Sequence, residues 1–280
     1  MTNIEWTDRT WNSIVGCSRI SAGCRNCYAA DAAKSARLQQ FPQYQEVKEW
    51  NGKTTFVESQ LLKPLSWKQP QKIFTCSMSD LFHENNQFNW IDQILGIMAL
   101  SERHTFQVLT KRLHQMLMYF DYQQEFVNWV QFNQLRCAIN LRRKMPLSNV
   151  WFGVSVENQE AANERIPLLR EAPAALRFLS CEPLLEEVKL DLTGIDWVIV
   201  GGESGDKARV CHIDWIRSIV HQCKAAGVPM FVKQLGRRSI ASNLYIDGVA
   251  STYYHFKTKD RKGGNMEEFP EDLKIREFPQ

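Results

Sequence analysis

The sequence has no uninterrupted apolar run approaching the roughly 18 to 20 residues that a membrane span needs. Its opening, Met1-Thr2-Asn3-Ile4-Glu5-Trp6, lacks the basic and then apolar pattern of an export leader. Neither a membrane segment nor secretion is therefore predicted. Strong charge of one sign is also missing: 34 Lys and Arg against 31 Asp and Glu leave +3, a mild basicity that suits a nucleic-acid partner and an ordinary enzyme alike. Neither flank of the chain holds a repeat or a low-complexity tract. The six histidines, His83, His104, His114, His212, His221 and His255, share no ligand spacing such as i, i+4 on one helix. What is present is 280 residues, 44% hydrophobic and 23% charged, which excludes a disordered or collagen-like chain and allows a large core.

Eight cysteines are too sparse here for a disulfide scaffold, and no export signal accompanies them, so they read as thiols in a reducing, cytoplasmic setting. Cys76, Cys137, Cys181, Cys211 and Cys223 are scattered and are expected to be small buried apolar residues. Cys17, Cys24 and Cys27 are crowded near the N-terminus.

From residue 73 onward six short apolar, β-prone runs recur, at 73–76, 106–110, 150–156, 176–180, 196–200 and 229–233. Between them lie helical spacings, such as Trp90, Ile91, Ile94, Leu95, Met98 and Ala99, or Ile213, Ile216, Ile219, Val220 and Cys223. Near-continuous apolar strands alternating with amphipathic helices predict βαβ units and a parallel sheet. The segment 111–149, with Leu113, Met116, Leu117, Phe120, Phe126, Trp129 and Val130, is expected to form two helices. Ala225-Ala226-Gly227-Val228-Pro229 reads as a helix stop.

Each of the six runs hands over to polar residues: Ser77, Ser79 and Asp80; Thr110, Lys111 and Arg112; Ser155, Glu157 and Asn158; Cys181 and Glu182; Glu203 and Ser204; Lys233 and Gln234. In a parallel α/β barrel all strand C-termini open on one face, where active sites are assembled. Polar loop starts are also what any α/β protein has. Residues 1–235 are read as the barrel with its loop at 11–29, and 236–280 as a C-terminal extension covering it, irregular around Gly263-Gly264 and Pro270. No linker separates two independent domains.

The segment Trp11 to Ala29 has the spacing C-x6-C-x2-C, so three thiols within eleven residues can converge on one metal. A closed zinc site needs a fourth ligand from elsewhere. On a four-iron cluster, three thiolates leave one iron open to a small molecule.

Together with Ser79-Asp80-Leu81-Phe82, Leu109-Thr110-Lys111-Arg112, Val150 to Asn158, Ser180-Cys181-Glu182-Pro183-Leu184, Gly201-Gly202-Glu203-Ser204 and the tail from Gly263 to Pro279, this segment resembles a phage-associated family of three-cysteine proteins of unknown function. That family looks like a divergent branch of the radical S-adenosylmethionine enzymes. The resemblance implies a partial (β/α)6 TIM-like barrel whose N-terminal loop holds a [4Fe-4S] cluster on Cys17, Cys24 and Cys27. The open iron would chelate S-adenosyl-L-methionine, and an electron from an external donor would yield a 5′-deoxyadenosyl radical. Tyr28 matches an aromatic position near the adenine, a place that packing under the loop also explains. Gly201-Gly202-Glu203 spells a triplet that contacts the methionine amino group, although here it follows a late strand, and a tight turn also accounts for it. Ser79, Lys111, Ser155, Glu157, Glu182 and Lys233 complete the expected cofactor contacts at the strand ends. Two departures stand out: the superfamily spacing is C-x3-C-x2-C, and Ser13 replaces an expected proline.

The phage setting and mild basicity point to nucleic acid or a nucleotide as the substrate, through modification or repair. A zinc-stabilised nucleic-acid-binding protein without catalysis is the alternative, and a cluster that only senses oxygen or stabilises the fold is a third reading. Lys111-Arg112, Arg142-Arg143-Lys144 and Arg237-Arg238 are basic runs able to meet phosphates or simply to face solvent. Nine Trp and fifteen Phe show no spacing of a single-strand platform and read as core.

Overall fold

The computed structural model describes residues 4–126, 130–246 and 249–280. The fold is α/β, built on one sheet of seven strands whose spatial order is their order in the chain, the arrangement a partial barrel of βα units uses. Internal contacts group the residues into two compact units, Met1–Val154 with Leu168–Arg177, and Ser155–Pro167 with Phe178–Gln280.

In the first unit the strands Arg9–Trp11, Lys72–Thr75, Thr105–Thr110 and Val150–Ser155 pair in parallel, each with the next. Their apolar runs are buried because a parallel strand is covered on both faces; Ile73, Phe106, Val108, Val150 and Phe152 are all at most 1% exposed. The helix Phe88–Leu100 buries Ile91, Ile94, Leu95 and Met98, the stripe expected from its spacing. Arg9–Trp11 was not among the six predicted runs. It is three residues long and has one buried side chain, too short to show a period.

The segment 111–149 differs from the two expected helices. One long helix, Leu113–Phe126, is followed by a hairpin of Val130–Phe132 and Cys137–Ile139 and by the single turn Leu141–Lys144. Val130, read as helical, opens the first hairpin strand and is buried with Phe132. Trp129 lies outside the described residues, as does the side chain of Phe126.

In the second unit Leu176–Cys181, Trp197–Gly201 and Met230–Gln234 pair in parallel. No helix occupies the connection from Glu182 to Asp196, so strict alternation of strand and helix fails there. The helix Ile213–Ala226 buries Ile213, Ile216, Ile219, Val220 and Cys223 and ends on Gly227 at φ +68°, a left-handed cap that glycine adopts without strain. The segment 236–280 is more ordered than its composition suggests. Ser239–Ile246 and Val249–His255 form a hairpin, and Cys211–His212 adds a third, parallel strand. Farther on, Val232 N donates to Ile275 O and Glu277 N to Met230 O, both at 2.9 Å. The tail thereby covers the open edge of the Met230–Gln234 strand, which would otherwise expose unpaired backbone groups.

All eight cysteines are free thiols, with Cys76, Cys181, Cys211 and Cys223 buried as expected. Cys137 is half-buried at the start of a two-stranded hairpin, which corrects its expected place in the core. Among the described residues no helix is long and apolar enough to cross a membrane.

Candidate functional site

The three clustered cysteines lie on a loop pinned to the ends of the first strands. Ile14–Val15 pairs with Thr55–Phe56, and Gly16 then turns at φ +94°, where a Cβ would sit 2.2 Å from Lys53 O. No other residue fits there. Gly16 N donates to Met78 O at 3.0 Å, and Ser79 Oγ donates to Gly16 O at 2.6 Å. Asn12 Oδ1 accepts from Ser77 Oγ and Met78 N. Ser79, an expected cofactor contact, is thus engaged in fixing the residue before Cys17. Tyr28 is 55% exposed and its hydroxyl donates to Ser77 O at 2.7 Å, so it leans on a strand end instead of packing beneath the loop.

Two of the three sulfurs have side-chain partners of their own. Arg112 Nη1 lies 3.5 Å from Cys17 Sγ. Lys111 Nζ donates to Ser21 Oγ at 3.1 Å, which leaves the Ser21 proton free for Cys24 Sγ at 3.6 Å. Cys27 precedes the Tyr28–Ala33 helix, and its side chain makes no capping hydrogen bond to that helix. Consecutive residues at the end of the Thr105–Thr110 strand therefore supply cations to two different thiols. Burial works to raise the Cys24 pKa, but Lys111 and hydrogen bonds from Ile20 and Ser21 overcome it, and this thiol sits below its ordinary value. Burial pushes Cys17 up to about 12, with the Asp80 carboxylate adding to it and Arg112 opposing. Cys27 is also raised by burial.

Arg112 was expected to be one of a solvated basic pair or a phosphate contact. It is instead 7% exposed and central to a network. Nη1 meets Asp80 Oδ2 at 3.2 Å, Nε meets Glu84 Oε2 at 2.6 Å, and Nη2 donates to Ser18 O and Oγ at 3.2 and 2.9 Å. Asp80 also accepts from Phe82 N, Thr110 Oγ1 and Lys111 N, so four donors satisfy one buried carboxylate. His83 belongs to the same network and is 2% exposed. Asn85 N donates to its Nδ1 at 3.1 Å, which leaves Nε2–H to donate to Ser18 Oγ at 3.0 Å. Burial and Arg112 both lower the His83 pKa and keep the ring neutral. With its acceptor nitrogen engaged, His83 cannot take a proton from Ser18, and the pair is not a nucleophile and base.

In the second unit the expected contacts are organised as ion pairs. Glu157 is 1% exposed and meets Arg165 at 2.8 Å, and Arg165 also donates to Ser155 O. Glu182 meets Lys233 at 3.2 Å. Glu203 accepts from Arg209 through both carboxylate oxygens, at 2.7 Å to Nη2 and 3.0 Å to Nε. A Cβ on Gly201 would lie 2.7 Å from Glu182 Oε1, and one on Gly202 2.3 Å from Leu235 O. Backbone packing thus demands glycine at 202, whereas at 201 the close atom is the end of a side chain.

A family model described as "Protein of unknown function (DUF5131)" matches residues 1–270. The chain belongs to the DUF5131 family. No curated protein and no solved structure matches it.

Among the described residues, no group of three or more His, Cys, Asp or Glu is gathered to hold a metal ion. The donor chemistry of the loop nevertheless fits thiolate ligation. Arg112 and Ser21 direct N–H and O–H groups at the Cys17 and Cys24 sulfurs, and such groups favour an anionic sulfur. Arg112, Ser18, Ser21 and Asn12 hold this loop, and sequence spacing did not single them out for it. The one signal for Arg112 was its place beside Lys111 at a strand end.

Proposed function

We propose that this DUF5131 chain is a radical S-adenosylmethionine enzyme with a [4Fe-4S] cluster on Cys17, Cys24 and Cys27, acting on nucleic acid or a nucleotide. The observation that carries the reading is a cation behind two of the three sulfurs, Arg112 for Cys17 and Lys111 through Ser21 for Cys24. Such donors favour the thiolate form of a ligand, against burial at Cys17, and tune iron–sulfur potentials. A bound cluster of this kind supplies the single electron that cleaves a carbon–sulfur bond of S-adenosylmethionine.

The chain's own residues do the positioning. Asp80 fixes Arg112, and Arg112 fixes both the Cys17 sulfur and the Ser18 backbone. Ser79 and Asn12 tie the loop to the Cys76–Ser79 segment. Tyr28 keeps its ring exposed beside the third cysteine and is suited to flank a flat heterocycle such as adenine.

Anaerobic reconstitution with iron and sulfide, followed by dithionite and S-adenosylmethionine, tests the proposal. We expect about four irons with acid-labile sulfide per chain and 5′-deoxyadenosine as a product, with neither in Cys24→Ala. Tight zinc with no iron uptake, or a full cluster yielding no 5′-deoxyadenosine, would overturn it.

A further inference from the structure

The C-terminal hairpin places side chains together that the sequence holds more than forty residues apart. Ile240 pairs with His255, Ser242 with Tyr253, and His212 with Ile240. Since side chains alternate along a strand, His212, Ile240, Ser242, Tyr253 and His255 share one face of the three-stranded sheet. Ring contacts agree with this: His212 stacks on Trp215 at 4.2 Å and meets Tyr253 edge to face at 5.1 Å. Tyr253 is nevertheless 54% exposed.

The same register continues past the last ladder pair, because Phe256 N donates to Ser239 O at 2.9 Å. Arg238 and Lys257 therefore lie opposite each other at the end of this face. Like charges directly opposite on a ladder repel, and both residues are exposed. Neither side chain has a hydrogen-bond or ion-pair partner among the described residues. Nearby cations do have them: Arg237 and Arg261 both meet Asp206, and Arg217 meets Asp214 and Asp272. An unneutralised cation pair beside the exposed Tyr253 ring, which His212 and Trp215 back from half-buried positions, has the chemistry of a surface for phosphates and unpaired bases.

We propose that this sheet face binds single-stranded nucleic acid, with Tyr253 stacking on a base and Arg238 and Lys257 contacting phosphates. The proposal does not depend on the reading of the cysteine loop and stands if no cluster forms.

The test is fluorescence anisotropy of the full chain with labelled oligo(dT) and oligo(U) of about twelve nucleotides, over a series of salt concentrations. Saturable binding that weakens with salt is expected, and the two oligomers distinguish a DNA from an RNA preference. Tyr253→Ala weakens binding about tenfold, Tyr253→Phe retains it, and so does Tyr254→Ala, which alters the opposite face. The double variant Arg238→Gln/Lys257→Gln, confined to exposed side chains, reduces the salt slope by about 1.4, which corresponds to two single-strand phosphates. Absence of binding at low salt overturns the proposal. So does binding unchanged in Tyr253→Ala and the double variant, or equal competition by a blunt duplex.

Discussion

Asp80 and Arg112 form a buried ion pair at 3.2 Å, and through it the end of the Lys72–Thr75 strand controls the position of Cys17. Removing one partner of such a pair costs far more than the pair itself contributes, because the other charge stays buried. Glu84 remains beside Arg112 and offsets part of the loss. Asp80→Ala is expected to lower stability by about 3 kcal/mol, and Asp80→Asn, which keeps some acceptors, by less. Urea denaturation of the metal-free chain measures both.

Cys24 should be the first of the three loop thiols to react in the metal-free chain. Its pKa is held low by Lys111 and Ser21, whereas burial raises Cys17 and Cys27, and the thiolate is the reactive form. Timed alkylation with iodoacetamide near neutral pH, read by peptide mass spectrometry, should label Cys24 ahead of Cys17 and Cys27. Lys111→Met should slow Cys24 severalfold and leave Cys17 unaffected.

The parts of this fold that were legible in the sequence are those whose local pattern is also their global role. Runs such as Ile73-Phe74-Thr75 and Val198-Ile199-Val200 are apolar throughout because parallel strands are buried on both faces. The hairpin of Val130–Phe132 and Cys137–Ile139 was hidden because three residues cannot display an alternation. At the cysteine loop the ligand spacing was readable, but its support was not. Lys111 and Arg112 look alike as neighbours in sequence, and only a carboxylate thirty-two positions away from Arg112, on the loop after another strand, makes it a buried residue. The His212, Tyr253 and Lys257 surface was illegible for a related reason, since hairpin register and not spacing brings it together.

The double glycine after Trp197–Val200 offers a clean comparison of packing against backbone freedom. Gly202→Ala would force a Cβ to 2.3 Å from Leu235 O, a backbone atom that cannot step aside, and should cost about 3 kcal/mol. Gly194 has φ +70° with nothing within 4 Å of its Cβ position, so Gly194→Ala should cost about 1 kcal/mol from strain alone. Chemical denaturation of the two variants without any ligand tests this ranking, and equal costs would refute the packing account.

Asp92 and Tyr119 couple stability to pH. Tyr119 OH donates to Asp92 Oδ1 at 2.7 Å, yet burial raises the carboxyl pKa above its ordinary 3.8 in spite of that bond. Between the unfolded and the raised folded value, the folded chain binds more protons than the unfolded one. Stability therefore falls as pH rises through this window, and the loss is complete above it. Asp92→Asn keeps an oxygen for Tyr119 and removes the charge, so it should be more stable than wild type at pH 7 and converge with it below about pH 4. Tyr119→Phe removes the donor from a buried carboxylate and should cost about 2 kcal/mol at pH 7, with a smaller cost at acid pH, once the carboxyl is protonated. Denaturant midpoints across pH 4 to 8 decide the matter: parallel curves for the wild type and Asp92→Asn would mean that Asp92 does not carry this linkage.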